Sequence, residues 1–589
     1  MIVRASIHNK LRYSPLPKLA WTSLEESIIK ASVVRAAWAL VLARYSDSDD
    51  VTFGSTVSSR TAPVAGLESM VGPALATVPV RVRVDPAQSI LSFLRSIQSQ
   101  AFEMTSYEQF GLQNIAKPGQ DAKEACDFTS LFLAQPAAGS DEARENEPLL
   151  SMATDKLEDA MEGNFNYPLV AEGVIFDNAV EFSLVYNSYA LSDDRLEALS
   201  DHLESVITQL LQTPDKSIGE VNIAGSWDTD RIATWNSHEP EYVDACLHDL
   251  VSKQARKTPG KEAIFTTART VSYHEMESLS NKLANYLVSL GVTKETPIPI
   301  CFEKSEWPIV AMLGVMKAGG VFVPLDPSHP LNRRHEICGQ VDAKYILVSP
   351  TTKSEFTSTA PHVIELSQAA FAKMPGSATA LSKRTTPKSA AYILFSSGST
   401  GKPKGIMVDH AAISTSTVGQ VKSFAVEGQP LRFLQFASFA FDVNLFEIFI
   451  ALVIGGTVCM PTESERLETT ADFMTRSRTN AAMLSPSFAR TIKPAQVPSL
   501  KVLMLMGEAP GKDNVETWFG RVRLINGYGP TEACVICVSH AVETIDTAPT
   551  NIGQSIAHTA WVLEPDDHTK LTPVGCIGDL VIQGHATAR

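Results

Sequence analysis

Tyr392-Ile-Leu-Phe-Ser-Ser-Gly-Ser-Thr-Gly-Lys-Pro-Lys-Gly405 is the stretch on which the reading of this chain turns. An apolar run with the composition of a buried strand enters a segment of glycines, serines, a threonine and two lysines. Glycine lets the backbone turn and expose N–H groups, hydroxyls donate hydrogen bonds, and lysines offset negative charge, so the segment suits a polyphosphate. It is not a Walker loop: two residues separate Gly398 from Gly401 where that motif has four. A generic Gly/Ser/Lys loop is an ordinary polar surface turn; the strand in front and the full string set this one apart.

Outward from the loop, helical and strand patterns alternate. Leu279, Leu283, Leu287 and Leu290 share one helix face, and Gly291 suits its C-terminal cap. Ile298 to Phe302 reads as a strand, Ile309 to Lys317 as a helix broken by Ala318-Gly319-Gly320, and Val321 to Leu325 as a strand ended by Asp326-Pro327. Such alternation predicts layered α/β architecture. An earlier block, residues 1–212, holds a predicted helix over Leu24–Tyr45, with Ile28, Ile29, Val33, Ala36, Ala37 and Leu40 on one stripe. A strand over Val78–Val84 and a helix over Ser89–Met104 follow. Residues 135–164 read as an acidic, solvated loop or insertion, and 213–239 as a polar linker to a third block, 240–589.

At 589 residues, with 44% apolar and 20% charged side chains, the chain is globular and long enough for two to four domains. A net charge of −15 argues against binding to nucleic acid or to an anionic membrane. The longest apolar candidate, Ile448 to Pro461, is interrupted by Gly455 and Gly456 and falls short of the ~20 residues of a membrane span. Arg4, His8, Lys10 and Arg12 break up any signal-peptide core, so the expected location is the cytoplasm. Of the eight cysteines, Cys534 and Cys537 form one CxxC without a second pair at zinc spacing, which reads as coincidence.

The string SSGSTGKPKG resembles the phosphate loop of the adenylate-forming superfamily. Other stretches resemble that family's motifs in its order: Val271-Ser-Tyr-His-Glu-Met276, Met316-Lys-Ala-Gly-Gly-Val-Phe-Val-Pro-Leu-Asp326, Asn526-Gly-Tyr-Gly-Pro-Thr-Glu532 and Gly578-Asp-Leu-Val-Ile-Gln-Gly584. The resemblance implies ATP as co-substrate. Ser397, Gly398, Ser399, Thr400, Gly401 and Lys404 would contact its phosphates, and Gly507 and Glu508 would line the adenine pocket. Asn526 would read the adenine amino group, Tyr528 would stack on the ring, and Thr531 would touch the α-phosphate. Glu532 would hold Mg²⁺, with Lys404, Thr531 and Glu532 as the catalytic set. Read in isolation, Asn526–Thr531 is equally a tight turn and Glu532 a solvated acid.

Phe439-Ala-Phe-Asp-Val-Asn-Leu-Phe-Glu-Ile-Phe449 resembles a further motif, in which amino-acid-activating members carry an aspartate at the position of Asp442. Its carboxylate would pair with the substrate α-ammonium; taken alone, it could be a surface or helix-capping aspartate. The resemblance also places a side-chain pocket at Val443, Phe446, Met483, Met504, Met506, Gly527, Val535 and Ile536. With no charge among them, they predict an apolar, fairly bulky substrate, aromatic or branched aliphatic.

Asp50-Val-Thr-Phe-Gly-Ser-Thr-Val-Ser-Ser-Arg60, Met70–Arg81, Tyr107-Glu-Gln-Phe-Gly-Leu112 and Asp127-Phe-Thr-Ser130 resemble the C-terminal half of condensation domains, or of the related epimerisation domains, more loosely. The expected fold is thus a chloramphenicol-acetyltransferase-like α/β half-domain followed by the large subdomain of an adenylate-forming enzyme with layered α/β sheets. The His-His-x-x-x-Asp-Gly motif of condensation chemistry is absent, so no condensation activity is assigned. Both ends read as cut. The ribose-binding aspartate, the small C-terminal subdomain with its lysine, and the carrier serine that bears phosphopantetheine would lie outside the chain. The resemblance implies a non-ribosomal peptide synthetase fragment whose partners are an amino acid and carrier domains. The chain alone is expected to adenylate slowly or not at all, and pyrophosphate exchange by residues 240–589 alone would refute this. Two alternatives share the motifs. One is an acyl- or aryl-CoA ligase, against which Asp442 and the first block argue; the other is a fragment that binds nucleotide without catalysis.

Overall fold

In the computed structural model the described residues are 9–15, 27–58, 66, 71, 75–136, 167–176, 180–187, 191–237, 241–397, 402–426 and 428–589. The acidic stretch thus lies mostly outside them, as do Gly398, Ser399, Thr400 and Gly401; Gln135 and Pro136 end a strand. The chain divides into two compact units, Met1–Trp235 with Val562–Leu580, and Asn236–Trp561 with Val581–Arg589. Among the described residues no helix is long and apolar enough to cross a membrane.

The first unit is built on a six-stranded sheet of β1 (Asn9–Pro15), β2 (Asp50–Ser58), β3 (Leu75–Arg83), β4 (Ser130–Pro136), β5 (Leu169–Ile175) and β6 (Val180–Asn187), in the order β1-β6-β5-β4-β2-β3. Helices α1 (Lys30–Ser46), α2 (Ile90–Met104) and α3 (Asp193–Gln212) pack into one core with it. The predicted strand and second helix fall where expected, with Ser89 capping α2 through Ser92 N. Of the helix predicted over Leu24–Tyr45, residues 24–26 lie outside the described residues and Ser27 to Ile29 are not helical. It begins at Lys30, because Gln98 accepts from Ile29 N (2.7 Å) and donates to Ser27 O (2.9 Å), holding that segment outside the helix. Nor is its apolar face a stripe: Val33 through Val41 is buried nearly all round. The stretch read as a linker contains α4 (Ser226–Trp235), whose Asp228 is fully buried against His202 of α3 (2.8 Å) and accepts from Val574 N (2.7 Å). Ile218, Asp228 and Ile232 are buried, so those residues belong to the unit's packing.

The second unit holds two larger sheets. One contains β9 (Pro297–Cys301), β10 (Val321–Leu325), β11 (Tyr345–Val348), β12 (His362–Glu365), β13 (Ala390–Ser397) and β14 (Pro403–Asp409), in the order β12-β11-β9-β10-β13-β14. The other runs β21-β20-β19-β18-β17-β15-β16-β7-β8. Its strands are β7 (Glu262–Thr266), β8 (Thr270–Ser272), β15 (Arg432–Leu434), β16 (Thr457–Met460), β17 (Ala481–Leu484), β18 (Val502–Leu505), β19 (Arg523–Tyr528), β20 (Val538–Ala541) and β21 (Gln554–Ser555). Strands β10, β11, β17 and β18 are buried at every residue, as expected of parallel strands covered on both faces. The covering helices include α5 (Leu247–Lys257), α6 (Tyr273–Ser289), α7 (Trp307–Ala318), α8 (His410–Phe424) and α9 (Val443–Ile454). Every residue of α7 is buried, and Gly319 at φ +89 ends it in a left-handed turn that glycine adopts without strain. Within α7 the one charge, Lys317, is paired with Glu277 (2.8 Å) and bonded to Ser280 and Asn281.

Candidate active site

Four neighbouring parallel strands, β15, β17, β18 and β19, bring the candidate residues together, because their C-terminal ends open on the same edge of the sheet. This is where open α/β sheets place their ligand crevices. Met483 of β17 is in register with Met504 of β18, and Leu505 with Asn526 of β19. Past β18 the chain turns at Gly507, φ +89. The Glu508 side chain accepts from Ser487 N (3.2 Å) and the Ser487 hydroxyl.

Beyond these strand ends lies a cavity of about 430 Å³ lined by Met506, Gly507, Glu508, Asn526, Gly527 and Tyr528, which the sequence had named. Its wall also includes Ala509, Pro510, Gly529, Thr550 and Ile552. Asn526 is buried and its amide nitrogen donates to Pro549 O (3.2 Å) and Asn551 O (2.8 Å). Those bonds hold the 549–552 segment over the cavity. No motif marked that segment, since its role arises from a turn closed by a side chain twenty-three residues earlier.

Asp442 is partly buried and caps the N-terminus of α9, its Oδ1 accepting from Val443 N (2.8 Å). The Thr531 hydroxyl lies against the same carboxylate. Burial pushes the Asp442 carboxyl above the usual carboxylate range, and the charge of Glu532 adds to that shift. The capping role and contact with the Thr531 hydroxyl therefore coincide in one residue. Glu532 itself is exposed, and its backbone carbonyl accepts from Ala588 N (2.6 Å).

Phe446, Met483, Met504, Met506, Val535 and Ile536 belong to one apolar cluster against which Val443 packs. Gly527 stands where a Cβ would come 2.7 Å from Met504 Sδ. Val535 has φ +79 and Cys534 φ +51. A β-branched residue in that region carries strain of about 1–3 kcal/mol and persists only when its surroundings hold it. Here Ser416 Oγ donates to Cys534 O (2.7 Å) and Gln420 Nε2 to Ile536 O (3.0 Å), both from the buried face of α8. Sequence reasoning missed both; the available signal was the polar run Ser414-Thr-Ser-Thr417 within the buried first half of the helix.

Of the expected phosphate loop, Ser397 closes β13, paired with Pro403, and Lys404 is exposed on β14 opposite Ser396. The hairpin thus delivers both ends of the loop side by side. Tyr392, upstream on β13, is fully buried and feels the charge of Asp442, which sets this strand beside the aspartate. All eight cysteines are free, and Cys534 and Cys537 are buried.

Residues 251–589 match the AMP-binding enzyme family, and residues 21–232 match the condensation domain. The chain belongs to the AMP-binding enzyme family. With a condensation domain ahead of it, it has the condensation–adenylation pair of nonribosomal peptide synthetases. Nonribosomal peptide synthetase TES of Alternaria alternata is 38% identical over 577 residues, 98% of this chain and 11% of that relative. N-benzoylphenylalaninol synthetase apmA of Penicillium brevicompactum is 39% identical over 566 residues, 95% of this chain and 23% of that relative. The chain therefore spans between about a tenth and a quarter of these relatives' length. In fold it is similar to a four-domain nonribosomal peptide synthetase solved with AMP and glycine, with a TM-score of 0.81 at 19% identity, over 99% of this chain and 45% of that one.

Proposed function

We propose that this chain activates an amino acid with an apolar side chain as its aminoacyl-adenylate, for transfer to the phosphopantetheine thiol of a carrier domain. The observation that carries the reading is Asp442. A partly buried carboxylate, raised by burial and set at the edge of an uncharged cluster, calls for a cationic partner, and an α-ammonium group supplies one. The cavity at Gly507, Asn526 and Tyr528 takes the adenine; with the Asn526 nitrogen committed to backbone, its carbonyl oxygen is left to accept from the adenine amino group. Residues 397–404 take the phosphates.

With the amine held by Asp442, the substrate carboxylate oxygen attacks the α-phosphorus. The new P–O bond forms as the bond to the β-phosphate bridging oxygen breaks, and pyrophosphate leaves. Lys404 and Thr531 offset the charge that develops there. The exposed Glu532 carboxylate, which has no ion-pair partner among the described residues, suits a hard cation, and Mg²⁺ there would neutralise phosphate charge. In this reading residues 1–212 are condensation-type, 213–239 connect, 240–589 adenylate, and the protein works in the cytoplasm.

ATP–pyrophosphate exchange by the intact module, over a panel of amino acids, tests the proposal. Exchange is expected with aromatic or branched aliphatic substrates and to be lost in Asp442→Ala while ATP binding persists. A preference for Asp, Glu, Lys or Arg would overturn the pocket.

A further inference from the structure

The loop from Gln435 to Asp442, between β15 and α9, is held by charged side chains that the reaction does not use. Lys304, in the turn after β9, donates to Gln435 Oε1 (2.6 Å) and to Ala437 O (2.8 Å), and its ammonium lies 5.2 Å from the centre of the Phe439 ring. Gln435, fully buried, passes its own amide to Glu447 Oε2 (3.0 Å). Glu447, also fully buried and five residues past Asp442 in sequence, accepts from Phe436 N and Ala437 N, both at 3.0 Å. Asn444 closes the other end by donating to Phe439 O (2.8 Å) and Phe441 O.

This arrangement is a poor way to fill a core. Burying a carboxylate and an ammonium that meet only through an amide costs more than packing Leu or Met in the same space. Burial raises the Glu447 carboxyl to about 8 and lowers the Lys304 ammonium to about 8, which records that cost. Gln435 N still donates to Cys459 O of β16 (2.8 Å); past that bond the three side chains provide fixed partners for backbone groups of the loop. The loop ends on the carboxylate that must meet the substrate amine.

We propose that Lys304, Gln435 and Glu447 form a positioning relay that sets Asp442 for the substrate amine. The proposal rests on the reading of Asp442 as the amine's partner. It assigns Glu447 a role in substrate selection without contact to the substrate.

Calorimetric titration of the 589-residue chain tests it. The probes are L-phenylalanyl- and L-leucyl-sulfamoyladenosine, their counterparts lacking the amine (3-phenylpropanoyl- and 4-methylpentanoyl-sulfamoyladenosine), and ATP. The variants are Glu447→Gln, which keeps an oxygen for the two backbone donors, and Lys304→Met/Glu447→Gln, which leaves no unpaired buried charge. In both, preference for the amine-bearing ligand should fall about 10- to 100-fold, while the amine-free ligand and ATP stay within about threefold. Equal weakening of both ligand types would make the cluster merely structural and overturn the proposal, and so would an undiminished preference. Asp442→Ala separates the two failures. If the wild-type chain shows no amine preference, or Asp442→Ala retains one, the Asp442 reading falls and the relay with it. If Asp442→Ala loses the preference and both relay variants keep it, only the relay falls.

Discussion

A single carboxylate, Asp442, serves two demands: it caps α9 and it lies beside Thr531 at the edge of the apolar cluster. Sequence reasoning set capping and ligand binding as rivals, because it had no means of seeing that a residue capping a helix could also lie against Thr531. Its carboxyl is pushed up by burial and must be ionised to hold an ammonium. The KM for the amino acid in pyrophosphate exchange should therefore rise as pH falls toward that raised range, and Asp442→Asn should be weak and insensitive to pH. Gly529 has no room for a side chain. A Cβ there would lie 2.3 Å from Val535 O and 2.9 Å from Cys537 N, both backbone atoms of the strained segment. Gly529→Ala is expected to cost about 1–3 kcal/mol in denaturant unfolding. Gly527→Ala meets only the flexible Met504 side chain; it should fold, and shift exchange toward smaller amino acids.

Among elements, those with strong periodicity or strong punctuation were legible. Strand β10 lies where its run ends at Asp326-Pro327, and α7 stops at the glycine that the pattern singled out. The failures share a cause. Helix α1 begins at Lys30, and Ser27 and Ile29 ahead of it are bonded instead to Gln98, about seventy residues away. Within the polar run at 213–239, Ser226–Trp235 is a helix anchored where Asp228 meets His202. Neither partner can be read from local pattern. The same kind of distant pairing makes α7 sensitive to Glu277, which sits on α6 and neutralises the buried Lys317. Glu277→Ala leaves that ammonium without its anion and should cost about 3–5 kcal/mol by chemical denaturation. Ser280 and Asn281 place the effect at the lower end.

Across the whole molecule, two units with separate cores are expected to melt separately. The calorimetric enthalpy of unfolding should exceed the van't Hoff value. Acid should act first on the second unit. His248 of α5 and His410 of α8 meet edge to face with ring centres 5.1 Å apart, both buried. Burial, with Lys317 and Lys383 adding to it, lowers His248 to about 3, and burial lowers His410 as well. A depressed histidine pKa contributes stability that is present above its ordinary value of 6.5 and lost as pH falls toward 3. Urea midpoints should therefore decline from pH 7 to pH 4, and His248→Gln should flatten that decline.

By itself the sequence determined the α/β class and the order of motifs, because short strings of glycine, hydroxyl and charge carry their physics locally. Only the tertiary structure decided which carboxylate faces Thr531, which loop roofs the cavity and which helix pins the strained Val535. Each of those depends on a hydrogen bond or burial between residues far apart in the chain, and the free energy of such a contact exists only once the strands are laid side by side.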